Sequence, residues 1–75
     1  MPPLPGISGK DAVKAFQRAG WQMVRQRGSH QIMVKEGHHS TLSIPDHKQL
    51  AKGTLRSLIR SAGLTVNEFL DLLNE

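Results

Sequence analysis

The central part of the chain most restricts the possible folds, because three strand-like stretches follow one another there with only short turns between them. The stretches at residues 21–26, 30–35 and 40–44 are rich in β-branched, aromatic and long apolar residues. Gly28 and Gly37 lie in the two connections, which are too short for the crossover that parallel strands require. The sequence therefore predicts a three-stranded antiparallel meander.

Apolar residues recur at helical spacing on both sides of this sheet. Residues 12–19 carry one apolar face before it, and residues 55–62 carry a second one after it. A Thr65-x-x-Glu68 capping box then begins a short third helix. The predicted fold is α+β, in the order α-β-β-β-α with a short extra C-terminal helix. This order resembles that of double-stranded-RNA-binding domains, which read the shape of A-form RNA.

The first residues differ in composition from the remainder of the chain. Residues 1–7 are rich in proline, and we expect them to form a flexible tail because they offer little surface to bury. Ser8 with Asp11 resembles a capping box that begins the first helix. A chain of 75 residues has room for one core, so residues 8–75 are predicted to form a single domain.

Positive charge is concentrated within this predicted domain. All ten Lys and Arg lie between Lys10 and Arg60, where only three acidic residues oppose them, so that segment carries +7 against +4 for the whole chain. Lys52, Arg56 and Arg60 repeat every four residues and form one basic stripe along a helix. A polyanion is the expected partner. A solvated outer helix face explains the stripe equally well.

Several classes of protein are disfavoured by what the sequence lacks. It contains no cysteine, so neither a disulfide framework nor a thiolate metal site is available. The start has no signal-peptide pattern, and no apolar run approaches the roughly 20 residues of a membrane span. We therefore expect a cytoplasmic protein with no membrane partner. No glycine-rich phosphate loop appears, and neither a metal nor a small-molecule cofactor is expected.

Histidine is the side chain best suited to proton transfer near neutral pH, because its ordinary pKa is about 6.5. His30 follows a glycine turn and begins a predicted strand. A sheet would hold its imidazole in place while the Gly28 backbone allows a ligand to approach closely. The alternation of residues along this strand leaves open which face of the sheet His30 occupies. His38 and His39 lie in a predicted turn, where we expect exposed residues without a chemical role.

Several short motifs together resemble one family. Between Ser8 and Leu73 they occur in the expected order: Gly20-Trp21, Arg25-Gln26-Arg27-Gly28-Ser29-His30, Ile44-Pro45, Lys52-Gly53-Thr54-Leu55-Arg56 and Ala62-Gly63-Leu64. The chain resembles HicA, the toxin of HicA–HicB toxin–antitoxin systems, also described as a YcfA-like messenger-RNA interferase. The resemblance implies a double-stranded-RNA-binding-like fold and metal-independent cleavage of messenger RNA that depends on His30. It also implies neutralisation by a cognate HicB-like antitoxin.

RNA supplies its own nucleophile, the ribose 2′-hydroxyl. Cleavage without a metal then needs a base, cations for the charge on phosphorus and a proton for the leaving oxygen. We expect His30 to be the base. The source of the leaving-group proton stays open between His47, Lys48 and water. The RNA-binding residues expected with His30 are Arg25, Arg27, Gly28, Ser29, Lys52 and Arg56.

Other interpretations stay open from the residues alone. A histidine that begins a strand is often structural, and the basic stripe suffices for a non-catalytic RNA-binding module whose affinity falls with salt. Metal binding through His30, His38, His39 and His47 is a weaker interpretation. Adjacent histidines in a turn lack the usual ligand spacings, and there is no cysteine to complete a zinc site.

Overall fold

The computed structural model describes residues 3–75, and its elements follow the order predicted from the sequence. The three strands form one antiparallel sheet with the spatial order β1-β2-β3, and the helices make the fold α+β. Within residues 3–75 no helix is both long enough and apolar enough to cross a membrane. The elements are α1 (Gly9–Arg18), β1 (Gln22–Arg27), β2 (His30–Val34), β3 (Leu42–Pro45), α2 (Lys52–Ser61) and α3 (Val66–Leu73).

The two faces of the sheet have different surroundings. Met33 pairs with Leu42 across β2 and β3, and both side chains belong to the hydrophobic core together with Ile44. The helices α1 and α2 pack on this face of the sheet. His30 and Ile32 alternate with Met33 along β2, so their side chains point to the other face. One face is therefore covered by helices, and the other is open.

The short helix α3 is held to α1 by an aromatic pair and by an arginine. The rings of Phe16 and Phe69 lie 5.1 Å apart between centroids at an angle of 48°, and both side chains are fully buried. The Nη1 atom of Arg18 donates to the carbonyl oxygens of Leu72 at 2.7 Å and Leu73 at 3.4 Å. Both carbonyls lie at the C-terminal end of α3, where a cation is favoured.

The predicted helix starts are confirmed by their caps. The Ser8 side chain accepts a hydrogen bond from the backbone N–H of Asp11 at 3.1 Å. Thr65 and Glu68 form both halves of the capping box that begins α3. The third strand was predicted to stop before Pro45 but includes it. An edge strand tolerates proline because one of its sides has no neighbouring strand.

The segment before α1 packs differently from the flexible tail that its composition predicts. Leu4 and Ile7 are both buried in the hydrophobic core, and the backbone N–H of Leu50 donates to the carbonyl oxygen of Ile7 at 2.7 Å. An extended proline-containing segment that repeats every three residues can bury side chains at this spacing on one side without forming an α-helix or strand. The core therefore includes residues of the segment 1–7, which was predicted to lie outside the domain. Met1 and Pro2 of that segment lie outside the described residues.

Candidate active site

A two-residue turn joins β1 to β2 immediately before His30. Arg27 and His30 are cross-strand partners, so Gly28 and Ser29 form the loop. Gly28 has a φ of +57°, whereas no residue other than glycine has a positive φ in the described part of the chain. A glycine with positive φ at the first loop position is the pattern of a type II′ turn, whose twist matches that of the strands.

Hydrogen bonds hold both carbonyl groups of this turn. The Nε2 atom of Gln26 donates to the carbonyl oxygen of Gly28 at 3.1 Å. The backbone N–H of Asp46, just after β3, donates to the carbonyl oxygen of Ser29 at 2.7 Å. The turn is thus tied to both edge strands, and the start of β2 at His30 has a fixed position relative to each of them.

His30 lies in a shallow depression on the open face of the sheet. The depression has a volume of about 390 Å³ and is lined by Arg27, His30, Ile32 and Ser43. Arg27, His30 and Ser43 are exposed, whereas Ile32 is only 9% exposed and forms the floor. A cation, an imidazole and a hydroxyl thus surround an apolar floor at a surface that solutes can reach.

Arg25 lies beside this depression on the same face. It pairs with Ile32 across β1 and β2, just after a bulge that interrupts the register between Met23 and Arg25. Residues that pair directly share a face of the sheet, and their Cβ atoms lie about 4.5–5.5 Å apart. The two predicted RNA-binding arginines of β1 therefore flank the depression in a row, with Arg27 nearest to His30.

The basic stripe lies on a different layer of the protein. Leu55 and Ile59 bury α2 in the core on the covered side of the sheet, while Lys52, Arg56 and Arg60 are exposed. None of the three lines the depression around His30. Lys52 begins α2, where the N-cap residue provides no side-chain hydrogen bond.

His47 and Lys48 lie in the exposed loop that follows β3. Pro45 is the cross-strand partner of His30. His47 follows Pro45 by two residues, so the Cα atoms of these two residues lie within about 7 Å of each other. The carbonyl oxygen of His47 accepts a hydrogen bond from the N–H of Gly9 at 2.9 Å. The backbone of this loop is thereby fixed next to the start of α1.

His38 does not have the exposed position that its turn predicts. Its ring is half-buried and lies 4.9 Å from the ring of Trp21, tilted by 59°, and its Nδ1 atom accepts a hydrogen bond from the N–H of Ser40 at 3.2 Å. The connection between β2 and β3 folds over the indole and covers apolar surface, which explains the difference. Within the described residues, no three His, Asp or Glu side chains lie close enough together to hold a metal ion.

Two residues of the depression, Ile32 and Ser43, were not predicted from the sequence. They face each other across β2 and β3, and only the register of that pair brings Ser43 next to His30. The connection over residues 35–41 is too long to fix a register by turn type. The available signal was the alternation along the third strand. A polar Ser43 between the apolar Leu42 and Ile44 indicates that its side chain faces away from the core.

Fold and site together define a class of protein: a small basic α+β domain with a histidine, two arginines and a serine on the open face of its sheet. Residues 9–64 match the family described as the HicA toxin of bacterial toxin–antitoxin systems. Because this match spans most of the chain, the chain belongs to the HicA toxin family.

One solved structure supports the same assignment. A chain of a toxin–antitoxin complex from Streptococcus pneumoniae is 36% identical to this protein and superimposes with a TM-score of 0.70. The alignment covers 77% of this chain and 98% of that chain. No curated protein sequence matches.

Proposed function

We propose that the chain is an endoribonuclease toxin, a messenger-RNA interferase, in which His30 is the general base. The observation that carries the proposal is the position of His30 in an open depression beside Arg27 and Ser43. The chain belongs to a toxin family, and this membership favours a catalytic role for His30 over a purely structural one. The reaction as proposed uses no metal ion.

The proposed cleavage is an internal transfer of the phosphoryl group. An unprotonated nitrogen of His30 takes the proton of a ribose 2′-hydroxyl while the 2′-oxygen attacks the adjacent phosphorus. The bond from phosphorus to the 5′-oxygen breaks, and that oxygen receives a proton from His47, Lys48 or water. The products are a 2′,3′-cyclic phosphate and a free 5′-hydroxyl.

The cations of β1 suit the charge that develops on phosphorus. Arg27 lies opposite His30, and Arg25, two residues earlier in β1, points to the same face. A phosphate above the depression would therefore meet one or two guanidinium groups. Ser43 is able to donate a further hydrogen bond from the third strand. Donors held in advance at the site of developing charge are usually the largest contribution to such a reaction.

The exposed backbone of the turn favours close approach of the RNA strand. Gly28 has no atom within 4 Å of the position that a Cβ would take, and Ser29 is exposed. Lys52 and Arg56 are exposed on another layer, and we assign them to phosphates further from the scissile bond. Contacts of this kind increase affinity in a salt-dependent manner and do not take part in the chemistry.

A HicB-like antitoxin is the proposed protein partner. The similar chain from Streptococcus pneumoniae belongs to a toxin–antitoxin complex, and a basic surface of this kind suits an acidic inhibitor. An antitoxin that covers the depression would exclude RNA from His30.

The proposal is tested with purified protein and an RNA labelled at its 5′ end. Wild type should cleave the RNA in excess chelator, and His30→Ala should cleave about 10²- to 10⁴-fold more slowly. An RNA with a single 2′-deoxyribose at the cleavage position should resist cleavage there, because the nucleophile is missing. His39→Ala removes an exposed histidine elsewhere and serves as the matched control.

Three results would contradict the mechanism. They are wild-type rates for a folded His30→Ala protein, cleavage at the deoxyribose position, and loss of activity on chelation. Tight, salt-sensitive RNA binding by wild type with no cleavage would support the alternative function, a non-catalytic RNA-binding module that uses the basic stripe.

A further inference from the structure

A second depression lies between α2 and α3, away from the open face of the sheet. Its volume is about 480 Å³. Ile59, Leu64 and Val66 give it apolar walls, and Arg56 and Arg60 line it one helical turn apart. Both arginines are exposed, and no acidic side chain lines the depression. We call this surface the α2–α3 groove.

The start of α3 adds positive potential to the same groove. A helix offers no internal partner to the N–H groups of its first residues, and its N-terminus carries the positive end of the helix dipole. The capping box satisfies the N–H groups of Thr65 and Glu68, which leaves those of Val66 and Asn67, both at the groove. Two arginines and a helix end thus surround apolar walls.

This combination favours an acidic peptide segment over RNA. Carboxylates would meet Arg56, Arg60 and the helix end, while apolar side chains of the same segment would cover the walls. An RNA backbone would use the arginines but would set phosphates against the apolar surface formed by Ile59 and Val66.

The location of the groove indicates a role other than catalysis. The family match ends at residue 64, so α3, which forms one wall, lies beyond the part of the chain that matches the family. His30 lies on the open face of the sheet and lines the other depression. Because α3 lies outside the family match, the α2–α3 groove suits recognition of the antitoxin that is specific to this chain.

We propose that the α2–α3 groove binds an acidic segment of the antitoxin that carries apolar side chains, separately from any contact the antitoxin makes at His30. The inference rests on the proposed function in its choice of partner. Asn67 provides the test, because it is exposed at the groove and lies in the first turn of α3. Asn67→Glu adds a charge that repels acidic groups while the helix dipole favours it.

The experiment compares wild type, Asn67→Glu and Asn67→Lys by calorimetric titration with the cognate antitoxin, and measures cleavage of labelled RNA by each protein alone. Asn67→Glu should weaken antitoxin binding about fivefold and Asn67→Lys should strengthen it, with equal rates of cleavage at saturating RNA in all three. Gln17→Glu, on the exposed face of α1, makes the same kind of charge change elsewhere and should bind as wild type. Circular dichroism checks the fold of each variant.

The other outcomes are distinct. Equal antitoxin affinity in all variants would overturn the groove as a docking site, and a shift shared by Gln17→Glu would reduce it to a general charge effect. A changed KM for RNA cleavage with constant antitoxin affinity would assign the groove to RNA instead. If wild type cleaves RNA but does not bind the antitoxin, both the partner and this inference are wrong while the proposed catalysis stands.

Discussion

Arg27 and His30 are direct cross-strand partners, the last residue of β1 and the first residue of β2. Their side chains share the open face of the sheet and line one depression. The two-residue turn between them is held by hydrogen bonds to both of its carbonyl groups. The sheet therefore sets the guanidinium and the imidazole on one surface, which is the preorganisation that the proposed charge stabilisation requires.

Loss of the Arg27 side chain should slow RNA cleavage strongly. We expect Arg27→Ala to lower kcat by about 10²-fold, because it removes a donor placed where charge develops on the phosphate. Arg27→Lys keeps the charge but loses the planar fork, so we expect a smaller loss of about tenfold. Single-turnover cleavage of labelled RNA measures both effects. Lys14→Ala removes an exposed cation of α1, and an equal loss in that control would show that only net charge matters.

Ser43 should contribute a hydrogen bond to the bound phosphate. We expect Ser43→Ala to reduce kcat/KM about tenfold, as for one hydrogen bond to a charged group, and Ser43→Thr to restore most of it. Measuring kcat and KM separately distinguishes a contact made only in the transition state, which changes kcat, from one made on binding, which changes KM. Ser57→Ala, at an exposed position of α2, is the control. No effect of Ser43→Ala on either constant would remove Ser43 from the site.

The element order and the position of His30 at the start of a strand follow from the sequence alone. Glycine turns, helical apolar spacing and the Thr65–Glu68 capping box are local signals, and each depends on residues close together in the chain. The turn at Gly28 is of this kind, and the structure agrees with its prediction. Local signals of this type are sufficient for the fold class.

Relationships between distant residues could not be predicted in the same way. The facing of His30 depends on the register of three strands, and a shift of one residue reverses it. Burial along β2 does not alternate cleanly, because Ile32 is covered on the open face while Met33 is covered by helices. The basic stripe has a regular spacing, yet it lies on another layer from His30. The burial of Leu4 depends on a core that the first residues alone do not reveal.

Arg18 should stabilise the protein without taking part in catalysis. Its guanidinium donates to the carbonyl oxygens of Leu72 and Leu73, so we expect Arg18→Ala to lower the free energy of unfolding by about 1 kcal/mol. Urea unfolding followed by circular dichroism measures the change. Lys14→Ala again serves as the control, since Lys14 is an exposed cation of the same helix. A loss of RNA cleavage by a folded Arg18→Ala protein would contradict this purely structural assignment.

Replacement of Gly28 by L-alanine and by D-alanine should have opposite effects on the stability of the protein. Gly28 has a φ of +57°, and no atom lies within 4 Å of the added Cβ position, so the only cost of an L-residue there is backbone strain. We expect Gly28→Ala to lower the free energy of unfolding by about 1–2 kcal/mol. D-alanine at the same position, introduced by chemical synthesis, favours positive φ and should stabilise the turn.

Gly53 is the matched position for this comparison. It lies in the first turn of α2, also with no atom within 4 Å of an added Cβ, but its φ suits an L-residue. We expect Gly53→Ala to raise the free energy of unfolding by up to about 1 kcal/mol, because alanine favours the helix. Thermal and urea unfolding of the four proteins measure the differences. If L-alanine and D-alanine at position 28 were equally destabilising, the sign of φ would not explain the loss of stability, and the role of positive φ in placing His30 opposite Arg27 would have to be abandoned.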